Sequence, residues 1–283
     1  MKVLVLGGGA QGRVIAGDLA CALPESRVTV ADLRRPNLPP VANLEAIEAD
    51  LSDAATLRRL LGACNFAVGA LPSRFGFAAM RAAIETGRDL VDVSFTPEDP
   101  LALDDDARRA GVTIIPDCGL APGLSNLVVG RVAASRERPD EITILVGGIA
   151  QDASRPFGYV VTWSVDDLLE EYVRPARIVV DSAAVEVPVF SGYERLQVDG
   201  VGELEAFYSD GLRTLIDTVP GVRRMGEKTL RWPGHAEAVH PLVADGSFTR
   251  TIRERCTMDL PADLVVLLVR FADRKSTRLN SSH

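Results

Sequence analysis

Histidine, cysteine and aromatic residues are scarce in this chain of 283 residues, which holds three His, four Cys, two Trp, four Tyr and nine Phe. The cysteines, Cys21, Cys64, Cys118 and Cys256, form no C-x-x-C pair, so together with three histidines they offer too few ligands in register for a zinc cluster. They are expected as buried, reduced thiols. No run of about 18 apolar residues occurs, and no membrane span is expected. Basic residues are outnumbered, 31 against 39 acidic, and a net charge of −8 argues against nucleic acid or an anionic membrane surface as partner. The first strand begins at Lys2, without the long apolar stretch and small-residue cleavage site of a secretory signal, so the expected location is the cytoplasm. What the chain has in quantity is apolar bulk. At 47% hydrophobic and 25% charged residues it can fill one large or two ordinary domains, which excludes intrinsic disorder.

The N-terminal half alternates short apolar runs with helical patterns. Strands are expected at 3–6, 28–31, 44–49, 66–71, 90–94 and 112–116, their unbroken apolar character suiting a parallel sheet covered on both faces. Helices are expected at 11–23, 53–61, 75–86 and 101–110, with Asp53 at an N-cap and Gly62, Gly87 and Gly111 at helix stops. After about residue 138 the rhythm changes. Strand-like segments at 141–149, 176–190, 193–198, 203–208 and 228–232 follow one another, with helical patterns only at 165–173, 211–219 and 235–244. The charged segment Arg136-Glu137-Arg138-Pro139-Asp140 is the expected boundary, giving domains 1–137 and 138–273. The last ten residues, 274–283, carry three basic residues and one Leu directly after the apolar run Leu264 to Phe271. They are expected to be a non-native tail that ends a truncated chain, against the plainer reading of a frayed terminus.

The strongest chemical signal is Gly7-Gly8-Gly9-Ala10-Gln11-Gly12, a G-x-G-x-x-G turn directly after the first strand and before the first helix. Gly7 permits the tight turn, Gly9 lets the backbone approach a pyrophosphate, and Gly12 lets helix pack on strand, while the helix N-terminus offers N–H donors at Ala10 and Gln11. Asp32 follows Gly12 by twenty residues at the end of the second strand, where a carboxylate accepts both ribose hydroxyls of NAD. The same carboxylate repels a 2′-phosphate, although Arg34 and Arg35 stand close enough to welcome one, so NAD is preferred and NADP is the lesser expectation. A glycine-rich turn that binds nothing is the alternative. Two further strand ends, Ala70-Leu71-Pro72 and Asp92-Val93-Ser94, are expected on the same crevice. The fold class is therefore α/β, a Rossmann-type doubly wound parallel sheet with a second, mixed α+β domain for substrate binding and dimerisation.

Three further segments are Pro116-Asp-Cys-Gly-Leu-Ala-Pro-Gly-Leu-Ser-Asn126, Tyr159-Val-Val-Thr-Trp-Ser164 with Glu171-Tyr172, and Glu227-Lys-Thr-Leu-Arg-Trp-Pro-Gly-His235. Together with Glu203 to Leu212 they resemble the saccharopine dehydrogenase-like family, most closely its lysine 6-dehydrogenase members, over residues 1 to about 273. Ala121 stands where saccharopine reductases of that family carry Asp, which favours the lysine dehydrogenase branch.

The resemblance implies NAD-dependent oxidation of the ε-amine of L-lysine to 2-aminoadipate 6-semialdehyde with release of ammonia. It implies Arg231 as the clamp for the α-carboxylate, a guanidinium fork suiting that group. It implies Trp163 and Ser164 along the substrate chain, and Thr229 as a substrate-facing position. Phe95 falls where saccharopine reductases have Tyr, so any hydroxyl role there is absent. Cys118 and Gly119 are implied under the nicotinamide. His235, Tyr159 and Asp117 remain open as the proton-transfer group. The rival functions are a saccharopine-type C–N oxidoreductase and a nucleotide-binding sensor or truncated remnant that holds NAD without catalysis. A homodimer is expected by analogy with extended sheets that continue across a two-fold axis.

Overall fold

The computed structural model describes residues 1–135, 139–257 and 263–273, and the chain divides into two compact units after Gly119. The expected 137/138 boundary and the tail at 274–283 lie in or against segments outside the described residues. The division comes earlier than expected because helix α5 (Leu124–Ala133) buries Val129 in a core shared with Ile142, Ile144, Leu212 and Met225 of the second unit. Among the described residues no helix is long and apolar enough to cross a membrane.

The first unit has the six expected strands: β1 (Lys2–Leu6), β2 (Arg27–Asp32), β3 (Leu44–Glu48), β4 (Phe66–Gly69), β5 (Asp89–Asp92) and β6 (Ile114–Ile115). They form one parallel sheet in the order β3-β2-β1-β4-β5-β6. Helices α1 (Ala10–Ala22), α2 (Ala54–Ala63), α3 (Ser73–Glu85) and α4 (Asp104–Ala110) link them. Val3, Val5, Val28 and Val30 pack with Ala16 and Ala20 of α1 in one core layer, and Leu4, Leu6, Leu61, Met80 and Leu90 pack in the other. Both sheet faces are thus covered, as continuous apolar strands require. Asp53 caps α2 by accepting the Thr56 N–H at 2.8 Å, and Gly111 ends α4 in the left-handed region at φ 66°. Gly62 does not stop α2, which continues to Ala63 before Cys64 ends it. Strand order reverses between β1 and β4, and in such sheets ligands lie outside the carboxyl ends of the strands at that reversal.

The second unit carries a seven-stranded mixed sheet. Its main path is β10 (Glu194–Val198), β11 (Gly202–Tyr208), β12 (Arg224–Arg231), β7 (Glu141–Ala150) and β13 (Asp263–Ala272), with β8 (Ala176–Val180) also on β12 and β9 (Ala183–Val187) on β8. The single expected strand 176–190 is a hairpin instead. Asp181 and Ser182 both take positive φ, 49° and 66°, the two-residue turn whose twist matches its flanking strands. Helices α6 (Val165–Val173) and α8 (His235–Ala244) have the expected bounds. Helix α7 shrinks to Leu215–Thr218, because Arg213 sits at φ 50° ahead of it. Helix α9 (Phe248–Arg255) packs Phe248 and Ile252 into an aromatic core with Tyr159, Tyr172 and Phe207.

Candidate functional site

In the first unit the glycine turn is shaped by close contacts on one side and openness on the other. A Cβ on Gly7 would lie 2.4 Å from the Ala70 carbonyl oxygen, and one on Gly12 would lie 1.9 Å from the Gly7 carbonyl oxygen. One on Gly9 would meet nothing within 4 Å. Gly7 and Gly12 are therefore glycines because neighbouring backbone leaves no room, while Gly9 leaves open space at the start of α1. No side chain caps that helix start, so its first N–H groups have no side-chain acceptor. Ala10 is half-buried and Gln11 exposed beside it. Asp32 is tied to the same turn. Its Oδ2 accepts the Gly8 N–H at 2.6 Å and its Oδ1 accepts the Arg34 N–H at 3.3 Å. An open, uncapped helix start beside an anchored carboxylate fits a dinucleotide, with phosphate over Gly9 and a ribose at Asp32.

Leu71 packs on the core beside Gly7, and the exposed Pro72 stands at the N-cap position of α3. At the end of β5, Ser94 is turned inward. Its N–H donates to Asp92 Oδ1 at 2.8 Å and its hydroxyl donates to the same oxygen. Asp92 is fully buried, and its Oδ2 has no hydrogen-bond partner among the described residues. Burial lifts this carboxyl to about 6, against the downward pull of the Ser94 hydrogen bonds, and the nearby Asp117 charge adds to the rise. Asp117 is itself buried, at φ 55°. Cys118 and Gly119 are exposed, and the Cys118 N–H donates to the Asp92 carbonyl at 2.8 Å. Partial burial, then the Asp117 and Asp92 charges, push the Cys118 thiol pKa up, so it is not an activated nucleophile. All four cysteines are free thiols, but only Cys64 and Cys256 are buried, a correction to the expected burial of the set. Phe95 is half-buried in the same unit.

The second unit gathers Thr229, Arg231 and His235 into a hydrogen-bonded cluster through Glu171 and Tyr172, with the hydrogen-bonded pair Tyr159 and Trp163 against it through ring contacts of Tyr159. Glu205 explains why α8 begins at His235: its buried carboxylate accepts the N–H groups of Gly234 at 2.7 Å and Ala236 at 2.6 Å, a carboxylate on a helix N-terminus. His235 Nδ1 lies 2.7 Å from the Phe157 carbonyl oxygen and must donate to it. Its Nε2 is then the acceptor for the Tyr172 hydroxyl at 2.9 Å, and the Tyr172 oxygen accepts Arg231 Nε at 2.8 Å. Arg231 Nη1 donates to the Leu230 carbonyl at 2.9 Å and Nη2 to Glu171 Oε2 at 3.3 Å. The guanidinium also stands 5.5 Å from the Tyr159 ring centre and 5.7 Å from that of Tyr172. Trp163 Nε1 donates to the Tyr159 hydroxyl at 3.1 Å. The Thr229 hydroxyl donates to Glu171 Oε1, so the Ser209 hydroxyl, 2.9 Å away, donates to Thr229.

These contacts correct two of the expected proton-transfer groups. Burial first, and then the Arg231 charge, push His235 down to about 3. With both ring nitrogens committed it is neutral at physiological pH and acts as a strut for Tyr172. Burial pushes Tyr159 up to about 12, so it is no base near neutrality. Ser164 has a structural task, capping α6 by accepting the Asp167 N–H at 3.3 Å. The sequence reading passed over Glu171 and Tyr172 as site residues although both stand in a quoted motif. Ser209 and Glu205 were passed over likewise, although both fall within the segment Glu203 to Leu212. Among the described residues no three His, Cys, Asp or Glu side chains converge as a metal-binding group.

The comparisons agree with this division. The saccharopine dehydrogenase NADP-binding domain matches residues 3–115, and the saccharopine dehydrogenase C-terminal domain matches residues 119–273. The chain belongs to the saccharopine dehydrogenase family. It is 23% identical over 233 residues to the L-glutamate-forming, NADP(+) saccharopine dehydrogenase of Schizosaccharomyces pombe, covering 78% of this chain and 52% of that protein. It is 27% identical over 172 residues to the enzyme of the same name from Saccharomyces cerevisiae, covering 58% of this chain and 38% of that one. The chain thus spans about half the length, or less, of these curated relatives. The apo structure of the L-Glu-forming saccharopine dehydrogenase from Saccharomyces cerevisiae shares the fold, with a TM-score of 0.67 at 23% identity over 87% of this chain and 58% of that one.

Proposed function

We propose that this chain is the nucleotide- and amino-acid-binding part of an NAD-dependent oxidoreductase that oxidises the ε-amine of L-lysine. The products are 2-aminoadipate 6-semialdehyde, ammonia and NADH. The observation that carries the reading is Arg231, a buried guanidinium in an aromatic setting with Tyr159 and Tyr172 around it, the chemistry that holds an α-carboxylate. Ala121, standing where saccharopine reductases have Asp, supports lysine over saccharopine.

The nicotinamide supplies the hydride acceptor when it is bound. This chain's residues do the positioning. Gly7, Gly9 and Gly12 with the amides of Ala10 and Gln11 seat the phosphates, and Asp32 seats the adenosine ribose. Leu71, Pro72, Cys118 and Gly119 form the remaining strand-end wall, whereas Ser94, turned inward onto Asp92, is corrected from a cofactor contact to a structural one. Arg231 anchors the carboxylate, Trp163 flanks the chain of the substrate, and Thr229, buried behind them, orients Glu171 rather than touching substrate. The ε-nitrogen loses a proton, its lone pair forms the C=N bond as hydride leaves the ε-carbon, and water adding to that bond expels ammonia.

A second reading has its own support. Arg34 and Arg35 are exposed directly after Asp32, and the matched domain and the relatives carry NADP in their names, so an NADP-dependent saccharopine oxidoreductase is the alternative. Steady-state rates with L-lysine and with saccharopine, each with NAD and NADP, separate the two. The expected result is NADH formation with lysine and a kcat/KM at least about tenfold higher for NAD than for NADP, the worth of about 1.4 kcal/mol from the Asp32 charge. Turnover of saccharopine with NADP alone would overturn it. Binding of either nucleotide without turnover of either substrate would favour a non-catalytic sensor.

A further inference from the structure

The Arg231 cluster presents an unexpected end to solvent. The Arg231 side chain is only 3% exposed, whereas Glu171, its ionic partner, is 16% exposed. Tyr172, His235 and Thr229 behind them are buried. A ligand therefore meets a carboxylate before it meets the guanidinium. That carboxylate is held in a fixed orientation, because Thr229 donates to Oε1 and Ser209 in turn fixes Thr229. Its other oxygen lies 3.3 Å from Arg231 Nη2, longer than the roughly 2.7–2.9 Å of a strong charge-assisted bond. Of the five N–H groups on a guanidinium, three are committed among the described residues, to Tyr172, Leu230 and Glu171. Both members of the pair retain capacity.

An oriented, neutral pair of opposite charges, slack between its members and open at one edge, complements a ligand that is itself neutral and dipolar. A carboxylate placed on Arg231 without a neighbouring cation would sit beside the Glu171 charge and be repelled by it. A carboxylate carried with an α-ammonium closes a four-charge square in which every charge has an opposite neighbour. We infer that Glu171 is the specificity residue of this site, taking the α-ammonium of a zwitterionic amino acid while Arg231 takes its α-carboxylate. This deepens the functional reading above and rests on its placing of the amino-acid head group at Arg231. The site thus selects free α-amino acids against simple carboxylates and against amines that lack a carboxylate.

Binding of two ligand pairs to the wild type and to Glu171→Gln, by calorimetric titration in the presence of NAD, tests the inference. L-Lysine and 6-aminohexanoate differ in the α-ammonium and share the ε-amine. L-Norleucine and hexanoate differ in the same group and lack the ε-amine. The wild type is expected to bind the amino acid of each pair at least about tenfold more tightly than its partner. Glu171→Gln is expected to erase that preference by weakening the amino acid while leaving or improving the carboxylate, and Glu171→Asp is expected to retain part of it. Equal weakening of both members of a pair would show that Glu171 only braces Arg231, and an unchanged preference would show that it does not face the ligand; either overturns the inference. If no ligand of either pair binds the wild type, it also falls. If the norleucine preference behaves as expected while lysine supports no NADH formation, the head-group assignment stands and the lysine reading fails. The melting temperature of each variant, compared with that of the wild type, separates loss of recognition from loss of fold.

Discussion

Asp92 is the residue whose environment contrasts most with its chemistry. Its carboxyl is fully buried and raised from an ordinary 3.8 to about 6. The folded state therefore holds this proton more tightly than the unfolded chain does. The stability it contributes is complete below about pH 4 and is lost as the pH rises through about 6. At neutral pH the ionised group costs the fold on the order of 3 kcal/mol. Asp92→Asn keeps an oxygen for Ser94 and removes the charge. Urea unfolding of this variant is expected to show a gain in stability over the wild type at pH 7.5 that shrinks to about a third at pH 4.5, and a loss at both pH values would contradict the burial argument. Nothing in the sequence marks Asp92 apart from other strand-end aspartates, because its burial depends on Gly69 and Ser94 closing over it. Asp32 is legible for the opposite reason: its partner Gly8 belongs to a local motif at fixed spacing. Arg231 was legible only through a longer motif, and its contact with Glu171 lies outside any local pattern.

At the scale of elements, the glycine turn separates room needed by the protein from room left for a ligand. Gly12→Ala would drive a Cβ to 1.9 Å from the Gly7 carbonyl oxygen, whereas Gly9→Ala meets nothing within 4 Å and keeps an accessible φ of −67°. Gly12→Ala is expected to lower the melting temperature by several degrees, and Gly9→Ala to leave it nearly unchanged. Gly9→Ala is instead expected to weaken nucleotide binding by about tenfold or more through a methyl in the phosphate seat. Thermal shift with and without nucleotide reads both effects. A Gly9→Ala protein that binds nucleotide as the wild type does would contradict the placement. The central parallel strands β1, β2 and β4 were legible because they are buried on both faces and read as apolar runs, whereas β3 and β6 at the sheet edges are only partly buried. Helix α6 was legible because Ser164 caps it and Leu168 and Tyr172 are buried at helical spacing. Helix α5 was not, since it starts at Gly123 with φ 140° and buries only Ser125 and Val129, leaving Leu124 and Leu127 exposed and its apolar stripe blurred. Helix α9 buries only Phe248 and Ile252 among charged residues, so its pattern is too sparse to read.

At the scale of the molecule, the change from alternating strands and helices to successive strands foretold two units of different class, and only their junction was misplaced. The charged segment looked like a linker, yet α5 ahead of it already belongs to the second core. The two units divide the proposed work: the first seats a nucleotide on the β1–α1 turn, and the second seats an amino-acid head group on the Arg231 and Glu171 pair. The measurement that bears most directly on this account is a crystal structure of the protein with NAD and L-lysine. The account expects the pyrophosphate over Gly9, the adenosine ribose hydroxyls on Asp32, and the lysine carboxylate on Arg231. Lysine bound with its carboxylate elsewhere, or a nucleotide seated away from the Gly7 to Gly12 turn, would contradict it.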